Sequence, residues 1–185
     1  MDITRLIADD HSEQRRLFAM LEDIPGPETE ALQAVWRRLR ALLDSHAEAE
    51  ERFFYPNLLA LGTGAGDSPS AKAETRDAIK DHNEIRDRAS AVDRSPVGTR
   101  EWRDAVAAAN KANSDHMAEE ERQGLADFRE HAALQLRHEL AIRFAAFEAN
   151  HLQGVRPVDK DPDEYVREMS DDVGGGAMRA EAEVH

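Results

Sequence analysis

The chain has 185 residues, a formal charge of −14 and no cysteine. The charge argues against a nucleic-acid partner, and the missing thiols exclude disulfides, thiolate zinc sites and iron–sulfur clusters, so any metal must be held by nitrogen and oxygen. Hydrophobic residues make up 41%, charged residues 34% and aromatics 5%, which suits helices with one apolar stripe rather than a large sheet. No apolar run approaches the length of a membrane span, and Met1-Asp-Ile-Thr-Arg5 does not read as a signal peptide. A cytoplasmic protein without a membrane partner is the expectation; the oligomeric state is not legible.

Breakers divide the chain into elements. Asp23-Ile-Pro-Gly-Pro27, Gly62-Thr-Gly-Ala-Gly-Asp-Ser-Pro69 and Asp93-Arg-Ser-Pro-Val-Gly98 separate four helical stretches, expected near 3–22, 28–60, 69–92 and 99–129. Pro27 suits a first helical position, and Ser68 and Thr99 suit N-caps. A fifth helix is expected over 130–151, where Leu136, Leu140, Phe144 and Phe147 recur at helical spacing. Residues 155–185, rich in Asp, Glu, Pro and Gly, read as a flexible acidic tail. Short connections imply antiparallel neighbours. The expected fold is therefore all-α: an up-down-up-down four-helix bundle over 1–130, a packing helix over 131–154 and a tail over 155–185.

Reading each helix at alternating three- and four-residue steps gives its inward seam. The seams run through Ile7, His11 and Gln14; Leu43, His46 and Glu50; Ala78, His82 and Ile85; and Asn113, His116 and Glu120. Each helix carries one inward His, and two carry a Glu one turn later on the same face. The histidines lie about 35 residues apart, so each hairpin returns to one level of a bundle. Taken singly, an inward His is usually an ordinary buried polar residue. Six such groups in one layer would each cost roughly 1–3 kcal/mol if left unpaired. A shared metal or a metal-free His–Glu network can satisfy them, and the metal is the favoured reading.

The pattern His11 … His46-x-x-x-Glu50 … His82 … His116-x-x-x-Glu120 resembles the hemerythrin-like, HHE cation-binding family. Its contexts agree: Asp10-His11, His46-Ala-Glu-Ala-Glu-Glu-Arg-Phe-Phe-Tyr-Pro56, Asp81-His82-Asn-Glu-Ile85 and His116-Met-Ala-Glu-Glu-Glu121. The resemblance covers about residues 1–130, and the segment from Phe128 to Glu164 is similar to the C-terminal part of actinobacterial members. It implies two non-haem iron ions joined by an oxo or hydroxo bridge, with His11, His46, His82 and His116 as terminal ligands and Glu50 and Glu120 as bridging carboxylates. Imidazole and carboxylate suit iron or manganese. The oxygen carriers of the family have a second His one turn after the helix-3 ligand; here that position is Arg86. Their helix-4 acid also stands five residues after its His, not four. The chain resembles the simpler subgroup, with roughly two metal positions left open.

Tyr55 is a candidate for one of them, although a regular helix carries it off the seam just before Pro56. Glu51 and Glu121 sit about 100° round from their neighbours, in a surrounding shell or in solvent. His131, His138, His151 and His185 read as surface or packing residues, and Met117 as packing. The expected function is a di-iron protein that binds or reacts with a small oxidant: hydrogen peroxide, dioxygen or nitric oxide. Catalase-like peroxide disproportionation is one such activity. The alternatives are an iron-dependent oxygen or redox sensing module without turnover, and a bundle with a satisfied polar core.

Overall fold

The computed structural model describes residues 1–171, and every regular element among them is helical. Asp2 opens α1 (Ile3–Asp23) by accepting the Thr4 backbone N–H on its side chain at 3.0 Å. Helix α2 (Thr29–Ala49) starts two residues after Pro27. It runs into a five-residue π-helical turn, Glu50–Phe54, and continues as α3 (Tyr55–Leu61). Pro56 has no N–H to return to the Arg52 carbonyl, and the Tyr55 N–H reaches back five residues to Glu50. The expected single helix over 28–60 is thus interrupted, and the wider turn brings Tyr55 onto the face that carries Glu50.

Ser70, not Ser68, caps α4 (Ala71–Arg94), and Thr99 caps α5 (Arg100–Arg122). At Gln123 the chain breaks and restarts as α6 (Gly124–His131), so the stretch expected as one helix over 99–129 is two. Helix α7 (Leu134–Asn150) follows.

The expectation of a flexible tail from 155 onward is corrected over its first half. Residues 162–171 form α8, with Pro162 at the first helical position and the Asp161 side chain accepting the Glu164 N–H at 2.8 Å. Tyr165 and Val166 bury against the rest of the protein, which offsets the acidic composition that suggested disorder. The run Gly174-Gly-Gly176 and the remainder of the acidic tail lie outside the described residues.

Helices α1, α2, α4 and α5 pack side by side: α1 along α2 and α5, α4 along α5 and beside α2, with α7 across α1 and α2. Two apolar cores form. One gathers Ile3, Ile7, Phe54, Leu58, Ile79, Phe128 and Phe144; the other gathers Phe18, Leu39, Val92, Trp102 and Val106. In α1, α2 and α4 the inward His lies between the residues given to the two cores, so a polar layer separates them. Among the described residues, no helix is long and apolar enough to cross a membrane.

Candidate metal centre

The structure brings His11, His46, His82, His116, Glu50 and Glu120 into that layer, all buried. Glu50 stands at its middle, with 0% of its surface exposed. Its Oε1 lies 2.9 Å from His46 Nε2 and 3.9 Å from His11 Nε2, and its Oε2 lies 3.3 Å from His82 Nε2. His82 Nε2 is in turn 3.2 Å from His116 Nε2. Of three groups able to hold an ion among the described residues, two lie in this layer, His11–His46–Glu50 and Glu50–His82–His116, and share Glu50; the third, Asp10–His46–Glu148, lies on the outer side of His46. Glu120 Oε2 reaches His11 Nε2 at 3.3 Å, while its Oε1 accepts the Tyr55 hydroxyl at 2.7 Å. Glu120 is thus brought to the His11 side, with its second oxygen engaged by Tyr55.

Each outer nitrogen faces a carboxylate, closely for His11 and His82 and at longer range for His46 and His116. His11 Nδ1 donates to Glu121 at 2.9 Å and His82 Nδ1 to Glu51 at 2.7 Å. His46 Nδ1 lies 3.4 Å from Asp10 and 3.8 Å from Glu148, and His116 Nδ1 lies 3.5 Å from Asp81. A carboxylate at Nδ1 fixes the ring with Nε2 facing inward, the arrangement that orients histidine metal ligands.

Electrostatics favour positive charge in this layer. Burial works against a charged His46, but Glu50, Asp10 and Glu148 together raise its pKa well above 6.5. Burial likewise opposes charge on His82, yet Glu50 and Glu51 push its pKa up to about 9. Glu50 is held well below the usual carboxylate range because His46 and His82 outweigh its desolvation. Glu51 falls to about 2: burial is overcome by His82, Arg86 and Lys160. Tyr55 is raised well above 10 by burial and by Glu120 and Glu50, so its hydroxyl stays a donor.

The donor set fits metal. His11 Nε2, His46 Nε2, both Glu50 oxygens and Glu120 Oε2 are buried without a hydrogen-bond partner. These atoms lie 2.9–3.9 Å from one another without a directed hydrogen bond, as ligand atoms turned toward a shared ion do. Adjacent ligands of a six-coordinate ion, each about 2.1 Å from it, sit about 3 Å apart, close to the separations found here. A cavity of about 20 Å³ lies against Tyr55, Glu120 and His116, and one of about 10 Å³ against the four histidines, Asn113 and Arg86. These spaces suit a molecule of about the size of water.

Arg86 is buried but outside the two ion-holding groups; its guanidinium donates to Glu51 at 2.7 Å. His131 and His151 bond to helix carbonyls of Asp127 and Phe147, and His138 meets the N-terminus, all away from the layer. Met117 packs beside Asn113. Asp10, Asp81, Glu148 and Lys160 are the contributors that the seam did not reveal. The two Asp-His pairs carried a signal, although each Asp serves the His of another helix: Asp10 faces His46, and Asp81 faces His116.

The profile of the hemerythrin HHE cation binding domain matches residues 2–126. The chain belongs to this family, and its buried His and Glu groups form a candidate cation site of the kind the family is named for. No curated protein and no solved structure matches the chain significantly.

Proposed function

We propose that the chain holds two non-haem iron ions in an up-down-up-down four-helix bundle and reacts there with a small oxidant. His11 and His46 would hold one ion and His82 and His116 the other, with Glu50 between them and Glu120 approaching from the His11 side as the second carboxylate. The observation that carries this reading is the sharing of the Glu50 carboxylate, buried and without a hydrogen-bond partner, by both histidine groups. A bound iron pair would supply Lewis acidity and electron transfer to a small ligand.

The residues around it would do the rest. Tyr55 holds one Glu120 oxygen and can carry a proton beside the 20 Å³ cavity. The apolar clusters on either side exclude bulk water, and the small cavities admit hydrogen peroxide, dioxygen or nitric oxide rather than a bulky substrate. Position 86 offers a guanidinium committed to Glu51 instead of a fifth imidazole, which leaves room for exchange and disfavours stable oxygen carriage.

The test is oxygen evolution from hydrogen peroxide by the iron-loaded protein, followed at an oxygen electrode. The expected result is disproportionation to water and oxygen, without a stable reversible oxygen adduct. Untouched peroxide with repeated binding and release of oxygen would overturn the turnover reading. It would favour sensing, for which the link between the centre and residues 155–171 offers a route.

A further inference from the structure

Glu51 is not among the six residues proposed to hold iron, yet it is gripped from several sides. Its Oε1 accepts from His82 Nδ1 and from Arg86, each at 2.7 Å. Its Oε2 accepts from the Lys160 ammonium, and its backbone carbonyl accepts from the Tyr165 hydroxyl at 2.5 Å. Only 2% of Glu51 is exposed.

Lys160 and Tyr165 lie outside the family-matched residues 2–126. Lys160 is itself fixed by Asn83, the residue after His82. Its N–H donates to Asn83 Oδ1 at 3.2 Å, and its carbonyl accepts from Asn83 Nδ2 at 2.8 Å. The ammonium also meets Glu48 at 3.1 Å, and Tyr165 and Val166 pack into the apolar cluster that holds Phe54 and Phe144. The segment is therefore clamped to α4 beside His82 and to the π-helical turn at Glu51.

We propose that residues 155–171 are a latch on the metal centre. Lys160 and Tyr165 are positioning residues: they fix Glu51, Glu51 fixes the His82 ring, and the latch sets how firmly the ion on the His82–His116 side is kept. The inference rests on the two-iron reading. Its physical basis is that an imidazole ligand is only as well oriented as the carboxylate behind it. Loss of such an outer partner commonly weakens metal binding by about 10- to 100-fold. Without Lys160, Glu51 Oε2 loses its bonded cation and the carboxylate is free to turn toward Arg86, away from His82.

The experiment uses the full chain loaded with iron and challenged with an excess of a coloured iron chelator. In Lys160→Met, one of the two ions should leave about 10- to 100-fold faster while the other keeps the wild-type rate. Tyr165→Phe should act in the same direction, and Lys160→Arg should restore slow release. In metal-free protein, the His82 ring N–H, followed by NMR, should exchange with solvent faster in Lys160→Met than in wild type. Release of both ions at wild-type rates would overturn the latch, as would equal acceleration of both, which signals general loosening. A wild-type chain that takes up fewer than two ions would instead defeat the two-iron reading, and the latch with it.

Discussion

Replacing Glu50 by Gln keeps its shape and removes its charge, which isolates the role of the shared carboxylate. Glu50 faces three imidazole Nε2 atoms, at 2.9, 3.3 and 3.9 Å, and has no contact with solvent. Breaking a buried charge pair by neutralising one partner costs about 3–5 kcal/mol. At about 1.4 kcal/mol per decade, the overall affinity for the metal pair should fall about 10²- to 10⁴-fold. The metal-free variant should keep its helices, because the imidazoles can lose their protons when the carboxylate charge goes. The assay is competition with a chromophoric chelator, with circular dichroism to verify helix content. Since Glu50 serves both groups, both ions should weaken together. Glu120→Gln should weaken binding less, because among the inner imidazole nitrogens its carboxylate approaches His11 and its other oxygen is held by Tyr55. A Glu50→Gln protein that competes within about threefold of wild type would refute the reasoning, since even 1 kcal/mol should change affinity by more.

Tyr55→Phe removes a buried hydrogen bond to a charged acceptor, which is 2.7 Å long here. The metal-free protein should lose about 1.5–3 kcal/mol, seen by calorimetry as a Tm lower by several degrees, and an unchanged Tm would count against the contact. The metal-free protein should also lose stability in alkali. His82 binds its proton more tightly when folded, its pKa rising from 6.5 to about 9. That contribution is complete below pH 6.5 and disappears as pH climbs through about 9, so thermal melts across this window should show a falling Tm. A flat or rising Tm would show that the imidazole is not held by Glu50 and Glu51.

Much of the layer was legible because the inward histidines obey helical periodicity. The seam through Leu43, His46 and Glu50 needs only a regular helix, and so does the seam through Asn113 and His116. Periodicity stops informing at Glu50, where Pro56 removes a backbone donor and the chain widens into a π-helical turn. That local departure turns Tyr55 toward Glu120, an orientation the regular spacing argued against. The outer carboxylates were harder to see, since Asp10 and Asp81 support histidines on other helices and no single-helix pattern pairs them. The docked segment was missed for a different reason. Its acidic, Pro-containing composition outweighed a short signal, the Asp161-Pro162 helix start followed by Tyr165, Val166 and Met169 at helical spacing. Composition averages over a window, whereas burial of Tyr165 and Val166 depends on a matching apolar surface elsewhere in the chain.

The central claim is a pair of metal ions bound in one buried layer. Elemental analysis of the folded, iron-reconstituted protein after removal of loosely bound metal tests it most directly. The account predicts about two iron ions per chain, as expected of carboxylate- and histidine-lined bundle sites. A folded protein that retains one ion, or none, would contradict it.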